Sequence, residues 1–131
     1  RDRVRLFQFD GGHSWNYPLA SAPESALVAM EALPNGDLLT LERAFVAPLR
    51  PLIISLRRTA LPAPGEAAPL NITDLAVFDS SQGWLLDNFE GLTRHRNERF
   101  FMISDDNCSA WQSTFLVYFQ LLPVPQEKKP R

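Results

Sequence analysis

The chain has 131 residues, and 45% of them are hydrophobic, which is enough apolar mass for one domain with its own core. Its 13 Lys and Arg residues and 15 Asp and Glu residues are spread along the sequence and give a formal net charge of -2. Because no basic stripe is present to neutralise a phosphate backbone, we expect no nucleic acid partner. No apolar run approaches the roughly 20 residues that cross a bilayer, so we also expect no membrane span.

Features near the two ends of the sequence give expectations about processing. The chain begins at Arg1 rather than at a methionine and runs at once into the strand-like stretch from Val4 to Phe9, which predicts that upstream sequence was removed. The one cysteine, Cys108, cannot form a disulfide within the chain and does not define the compartment. Three prolines and a Lys-Lys pair predict a disordered tail over Pro123–Arg131.

Short apolar runs of four to eight residues, separated by turn residues, predict an all-β fold. In chain order, we predict eight strands: Arg3–Asp10, Ala26–Leu33, Asp37–Phe45, Pro51–Thr59, Asn71–Asp79, Asn88–His95, Arg99–Asp105 and Thr114–Leu122. The stretch Ala20–Met30 is also compatible with a short helix. Short strands at close spacing are typical of a sandwich, a barrel or a propeller.

Two of the predicted hairpins are alike. Pro34, Asn35 and Gly36 form the turn of the first, and the second reverses near Asn97. Laid on one another, the hairpins match at a constant offset of 62 positions, which places Leu33 on His95. The strands that follow repeat at about the same spacing, but their apolar faces are out of step, which predicts an intervening loop that differs in length by one residue.

The repeat predicts a modular architecture. Two units, about 26–60 and 88–122, each contain three or four strands, which is closer to a propeller blade than to a solenoid repeat. We therefore predict that residues 1–122 are the C-terminal part of a β-propeller with about two blades, and a small β-sandwich is the alternative. The partners expected for the uncovered sheet faces are the remaining blades of a larger propeller or a second copy of the chain.

Acidic and amide side chains are concentrated at one predicted sheet edge. Glu90 lies near the start of one strand, and Asp105, Asp106 and Asn107 follow its antiparallel neighbour, so these side chains share an edge. Oxygen ligands of this kind suit a hard cation such as Ca²⁺. The alternative is that they cap turns by accepting hydrogen bonds from nearby backbone amides. Arg43, at the equivalent edge of the first hairpin, is expected to bind an anion or to pair with a neighbouring acid.

Several stretches resemble the closing segment of one family. They are Asn88-Phe89-Glu90-Gly91-Leu92, Ser104-Asp105-Asp106-Asn107, and Gln112 with Thr114. They are similar to the C-terminal part of the phytase-like proteins described as having esterase-like activity, and the stretch from Leu33 to Arg43 resembles the penultimate hairpin of that family. Two positions depart from the family pattern, because Cys108 stands where an aromatic residue is usual and Ser113 where a basic residue is common.

The resemblance implies a bacterial, usually exported β-propeller that hydrolyses phosphate or other esters, with calcium as a cofactor, and it implies a periplasmic or secreted location. The positions that it singles out are Glu42, Arg43, Asn88, Glu90, Asp105, Asp106 and Asn107. Within this set, we predict that Glu90, Asp105 and Asp106 are catalytic.

The same hypothesis assigns the remaining roles. We predict that Arg43 and Asn107 bind a small-molecule ester or phosphoester. The metal ligands predicted for calcium are Glu90, Asp105, Asp106 and Asn107. The alternative is a propeller without chemistry that acts as a binding or structural module.

Overall fold

The computed structural model describes residues 2–9, 11–63 and 65–123, and the regular structure of this part is almost entirely β. Its strands are β1 (Arg3–Phe7), β2 (Ser14–Pro18), β3 (Ser25–Ala32), β4 (Leu38–Ala44), β5 (Ile53–Ala60), β6 (Asn71–Asp79), β7 (Phe89–Arg96), β8 (Arg99–Ser104) and β9 (Leu116–Gln120). A 3₁₀ turn, Ser80–Gln82, follows β6. The predicted tail lies outside the described residues, apart from Pro123.

The strands form three antiparallel sheets, which confirms the all-β prediction. The hairpin β1–β2 is one sheet, β3–β4–β5–β6 form a four-stranded meander, here the first sheet, and β7–β8–β9 form a three-stranded meander, here the second sheet. Each of the eight predicted strands is present, in most cases with shorter ends. The helical alternative at Ala20–Met30 is wrong, because β3 occupies most of that stretch, and β2 was not predicted.

The core lies between the first and the second sheet. Successive side chains of a strand point to opposite faces, so each sheet contributes alternate residues to this layer. The buried members are Leu33, Leu39, Leu41, Ile54, Leu56, Phe89, Phe100 and Met102. Full burial of such a side chain stabilises the fold by about 1.5–3 kcal/mol, so this contact is what holds the two sheets together.

The strand registers show the internal repeat directly. Ala29 of β3 is opposite Leu41 of β4, and Gly91 of β7 is opposite Ile103 of β8, which is the same pair 62 positions later. Both hairpins carry a β-bulge at the same place: the extra residue is Val28 in β3, and 62 positions later it is Glu90 in β7. A shared bulge in a shared register identifies the two hairpins as copies of one structural unit.

The third strand of each unit corrects one detail of the prediction. Leu39 is opposite Arg58 in the first sheet, and its counterpart Phe101 is opposite Tyr118 in the second, so the third strands are offset by 60 positions. The intervening loop therefore differs in length by two residues, not by one. An even difference preserves which side chains point to which face of the sheet.

The first and the second sheet are stacked with their equivalent faces pointing in the same direction. Leu39 and Leu41 of β4 point at the second sheet and are fully buried. Their counterparts in β8, Phe101 and Ile103, point away from the first sheet, and Ile103 is 45% exposed. Equivalent faces thus point in the same direction in both units, which is how neighbouring blades of a propeller are arranged.

Candidate functional site

Arg43 reaches from the first sheet to the second. It lies near the end of β4, on the same face as Leu41. Its Nη1 donates to Oε1 of Glu90, the bulge residue of β7, over 3.4 Å, and both side chains are partly open to solvent. Of the two predicted roles of Arg43, the structure shows the ion pair with a neighbouring acid.

Asn88 fixes the position of Glu90. Its side chain is 5% exposed, and its Nδ2 donates to Glu90 Oε1 over 2.8 Å. Its backbone oxygen accepts a hydrogen bond of 2.9 Å from the amide of Asp105, which ties the start of β7 to the end of β8. Arg43, Asn88 and Glu90 are here called the Arg43 site.

The Arg43 site has hydrogen-bonding capacity that the described part of the chain leaves unused. Within that part, the buried atoms Arg43 Nε and Asn88 Oδ1 have no hydrogen-bond partner. Buried polar groups in native proteins are nearly always paired, and leaving one unpaired costs about 1–3 kcal/mol. The donor Arg43 Nε and the acceptor Asn88 Oδ1 therefore belong to two residues that both contact the Glu90 carboxylate.

The predicted metal ligands after β8 are used in turns instead. Asp105 Oδ1 accepts a hydrogen bond from the amide of Asn107, and Asp106 Oδ1 accepts one from the amide of Cys108. Asn107 and Cys108 have φ values of 49° and 55°, in the left-handed region that such capped turns use. The side chain of Asn107 donates to Gln112. These contacts are those of the turn-capping alternative.

The described residues do not assemble a cation site at this edge. Across 2–9, 11–63 and 65–123, no group of three or more His, Cys, Asp or Glu side chains could hold a metal ion. The predicted calcium ligands Glu90, Asp105, Asp106 and Asn107 therefore do not fit a calcium cage, and Arg43 places a positive charge beside the first of them. Calcium stays a prediction from the sequence, and no chemical step is derived through it.

Asp87 is a positioning residue that the sequence analysis missed. Its Oδ1 accepts hydrogen bonds from the amide of Asn88 and from Gln112 Nε2, and its Oδ2 accepts one of 2.9 Å from the amide of Ser113. The carboxylate thereby holds the loop after β8 against the start of β7. An acid two residues before the start of β7 is the one local sign of this role.

Glu42 faces away from the Arg43 site. Adjacent residues of a strand point to opposite faces, so Glu42 is directed at the β1–β2 hairpin, where it is fully buried. It accepts four hydrogen bonds, from Tyr17 Oη at 2.6 Å, the Ala20 amide at 2.7 Å, Ser25 Oγ at 2.7 Å and Arg57 Nη1 at 2.8 Å. This network fastens the hairpin to the first sheet.

The surroundings of Glu42 favour its charged form. Burial alone would raise the pKa of Glu42, but the hydrogen bonds from Tyr17, Ala20, Arg57 and Ser25 outweigh it and hold that pKa below its ordinary value. Burial and the hydrogen bond to Glu42 raise the pKa of Tyr17 to about 12. Arg57 also pairs with Asp74 over 2.7 Å. Glu42 is therefore a charged structural residue with no access to a substrate.

A comparison with known sequences supplies the family. The sequence model of the family described as "Phytase-like: Esterase-like activity of phytase" matches residues 1–108, a range that includes Arg43, Asn88 and Glu90. No curated protein and no solved structure matches the chain. No helix in the described part of the chain is long and apolar enough to cross a membrane. The match covers well over half of the 131 residues, and the chain therefore belongs to the phytase-like family with esterase-like activity.

Proposed function

We propose that the chain contributes the Arg43 site to a hydrolase of carboxylic or phosphoric esters. The observation that carries the proposal is the pairing of Arg43 and Glu90 across two sheets, at a partly open edge, with Arg43 Nε and Asn88 Oδ1 left unpartnered. Membership of a family named for esterase-like activity supports the same reaction class.

The residues of the Arg43 site would divide the work of ester hydrolysis between them. Glu90 is positioned through one oxygen by Asn88, and a water molecule on its open side would lose a proton to the carboxylate as it attacks the ester. The carbon–oxygen or phosphorus–oxygen bond to the leaving group then breaks, and the leaving oxygen takes a proton from Glu90 or from solvent. Arg43, a permanently charged fork of donors, would stabilise the negative oxygen of the transition state.

A second candidate is a binding or structural module without chemistry. The turn-capping contacts of Asp105 and Asp106 favour it, and so does the fact that the Arg43–Glu90 pair bridges the two sheets. In that case the pair stabilises the stack by the small amount typical of a partly exposed ion pair, about 0–1 kcal/mol.

Hydrolysis assays separate the two candidates. We would measure turnover of p-nitrophenyl acetate and p-nitrophenyl phosphate by the wild type, Glu90→Gln, Arg43→Gln and the control Glu98→Gln, which alters an exposed glutamate in the β7–β8 turn. Glu90→Gln should lower kcat about 100-fold or more, since it removes the general base. Arg43→Gln should lower kcat/KM, and the control should match the wild type.

The contrary results are equally definite. Full activity in Glu90→Gln, or no activity in the wild type, would favour the binding module. Treatment with EDTA, followed by Ca²⁺, tests the cofactor prediction separately, because the hydrolysis proposed here needs no metal from these residues. We also propose a periplasmic or secreted location, which the family resemblance supports, and cell fractionation of the source organism would test it.

A further inference from the structure

A cavity of about 630 Å³ lies between the β1–β2 hairpin, the first sheet and the loop that follows β5. Much of its lining is apolar, with Leu6 from β1, Met30 from β3, Leu38 from β4 and Leu61 from the loop. Protein sites for small molecules have volumes of about 300–1,000 Å³ and predominantly apolar walls. The cavity therefore has the size and the lining of a binding site for a small molecule.

A second cavity of about 480 Å³ adjoins the first one. Both are lined by His13, Trp15, Gly65 and Glu66, so these residues lie where the two cavities meet. Trp15 is partly buried on β2 and stacks with His13, with the ring centroids 6.3 Å apart, whereas Glu66 is exposed on the loop. The two cavities together are here called the Trp15 groove.

The charged side chains of the Trp15 groove make it acidic. Its carboxylates are those of Asp37 and Glu66, and none of the described residues that line it is a lysine or an arginine. Asp37 is neutralised by Arg58, whose Nε is 2.7 Å from Asp37 Oδ2. Glu66 forms no ion pair in the part of the chain that the structure describes. The groove therefore combines an aromatic ring with one carboxylate that has no counter-charge.

This combination favours a ligand with a positive charge. A cation within about 6 Å of the centroid of an indole ring is attracted by the negative face of the ring, and a nearby carboxylate adds Coulombic attraction. A primary ammonium group is strongly hydrated and loses that water on entering an apolar cavity. A quaternary ammonium group donates no hydrogen bonds, and its methyl groups pack against apolar walls, so it suits both the ring and the carboxylate.

We propose that the Trp15 groove binds a small organic cation with a quaternary ammonium head and an apolar chain. The head lies at Trp15 and Glu66, and the chain packs against the apolar lining of the larger cavity. The proposal does not rest on the hydrolase activity, because Leu38 of the groove begins β4, whereas Arg43 lies near the other end of that strand.

Isothermal titration calorimetry of the full chain with three probes of equal chain length tests the proposal. Hexyltrimethylammonium should bind at least about fivefold more tightly than 1-hexanol, a factor that corresponds to about 1 kcal/mol and is typical of a cation–π contact. Hexanoate, which carries a negative head on a similar chain, should bind more weakly than 1-hexanol. The order of the three affinities therefore reports the sign of the charge that the groove prefers.

Three variants locate the site. Trp15→Leu removes the aromatic face but keeps an apolar side chain, so it should weaken binding of hexyltrimethylammonium about fivefold and leave that of 1-hexanol unchanged. Glu66→Gln, at an exposed position, should weaken binding of the cation about two- to fivefold, as expected for an exposed ion pair. Trp84→Leu, the same substitution in a separate apolar cleft between β6 and β9, should change neither affinity.

Several results would overturn the proposal. Equal affinities for hexyltrimethylammonium and 1-hexanol would do so, and so would the absence of any binding of the cation. A loss of cation binding in Trp84→Leu but not in Trp15→Leu would place the ligand in the other cleft. If Trp15→Leu also loses 1-hexanol, the substitution has disturbed the apolar lining, and Glu66→Gln then decides: an unchanged affinity of this variant for the cation would refute the proposal.

Discussion

Replacing Glu42 by Gln is expected to destabilise the protein without touching the Arg43 site. The carboxylate is fully buried and accepts four hydrogen bonds of 2.6–2.8 Å. Gln has nearly the same shape, but it presents an NH₂ group where one carboxylate oxygen accepted hydrogen bonds. At least one donor in the network therefore loses its acceptor. Arg57 also loses its buried counter-charge.

The size of the loss follows from these contacts. Removing one partner of a buried ion pair costs about 3–5 kcal/mol, because the other charge is left uncompensated. Arg57 keeps Asp74 at 2.7 Å and the Pro18 carbonyl at 2.8 Å, so the lower end of that range applies. We therefore expect a loss of about 3 kcal/mol in the free energy of unfolding, or about 10 °C in Tm for a domain of this size.

Urea unfolding followed by Trp fluorescence measures this loss. Glu98→Gln, the same change at an exposed turn position, is the matched control and should stay within about 0.5 kcal/mol of the wild type. A Glu42→Gln variant that loses less than about 1 kcal/mol would refute the assignment of Glu42 as the residue that fastens the β1–β2 hairpin.

Three further predictions follow from the same geometry. The low pKa of Glu42 makes its stabilisation complete above the ordinary value of 4.5 and lost as the pH falls through the lower folded value, so urea midpoints of the wild type and Glu42→Gln should converge in acid. A Cβ at Gly91 would lie 2.5 Å from Ile103 Cγ2, so Gly91→Ala should cost about 1–3 kcal/mol by calorimetry, and Ile103→Ala should relieve most of that cost. Asp87→Asn should speed amide hydrogen exchange at Ser113, and unchanged exchange would contradict its positioning role.

Local patterns predicted the fold well. The alternation of apolar residues and the turn chemistry gave the all-β class, the eight strands and the offset of 62 between the two hairpins, because these signals are contained in neighbouring residues. β2 was not predicted because Ser14–Pro18 is only five residues long and has no Leu, Ile or Val side chain. Its one sign is the alternation of Trp15 and Tyr17 with polar residues.

The candidate site was harder to predict because its contacts join distant parts of the sequence. The sequence placed Arg43 and Glu90 at equivalent sheet edges, but only the stacking of the sheets brings the two side chains together. The carboxylates after β8 led to the metal prediction, which stays a prediction. The structure shows that Asp105 and Asp106 each accept a hydrogen bond from the backbone amide two residues on. The partnership of Glu42 with Tyr17 spans 25 residues and has no local signal.

The bulge that the two units share has the same backbone position but a different side chain in each unit. Both units interrupt their first ladder at the same step, yet the extra residue is Val28 in one and Glu90 in the other. Val28 packs beside the core, whereas Glu90 carries a charge to the rim. A duplicated hairpin thus offers a position that tolerates either side chain, and the identity of one residue decides whether that position adds apolar packing or an ion pair between the sheets.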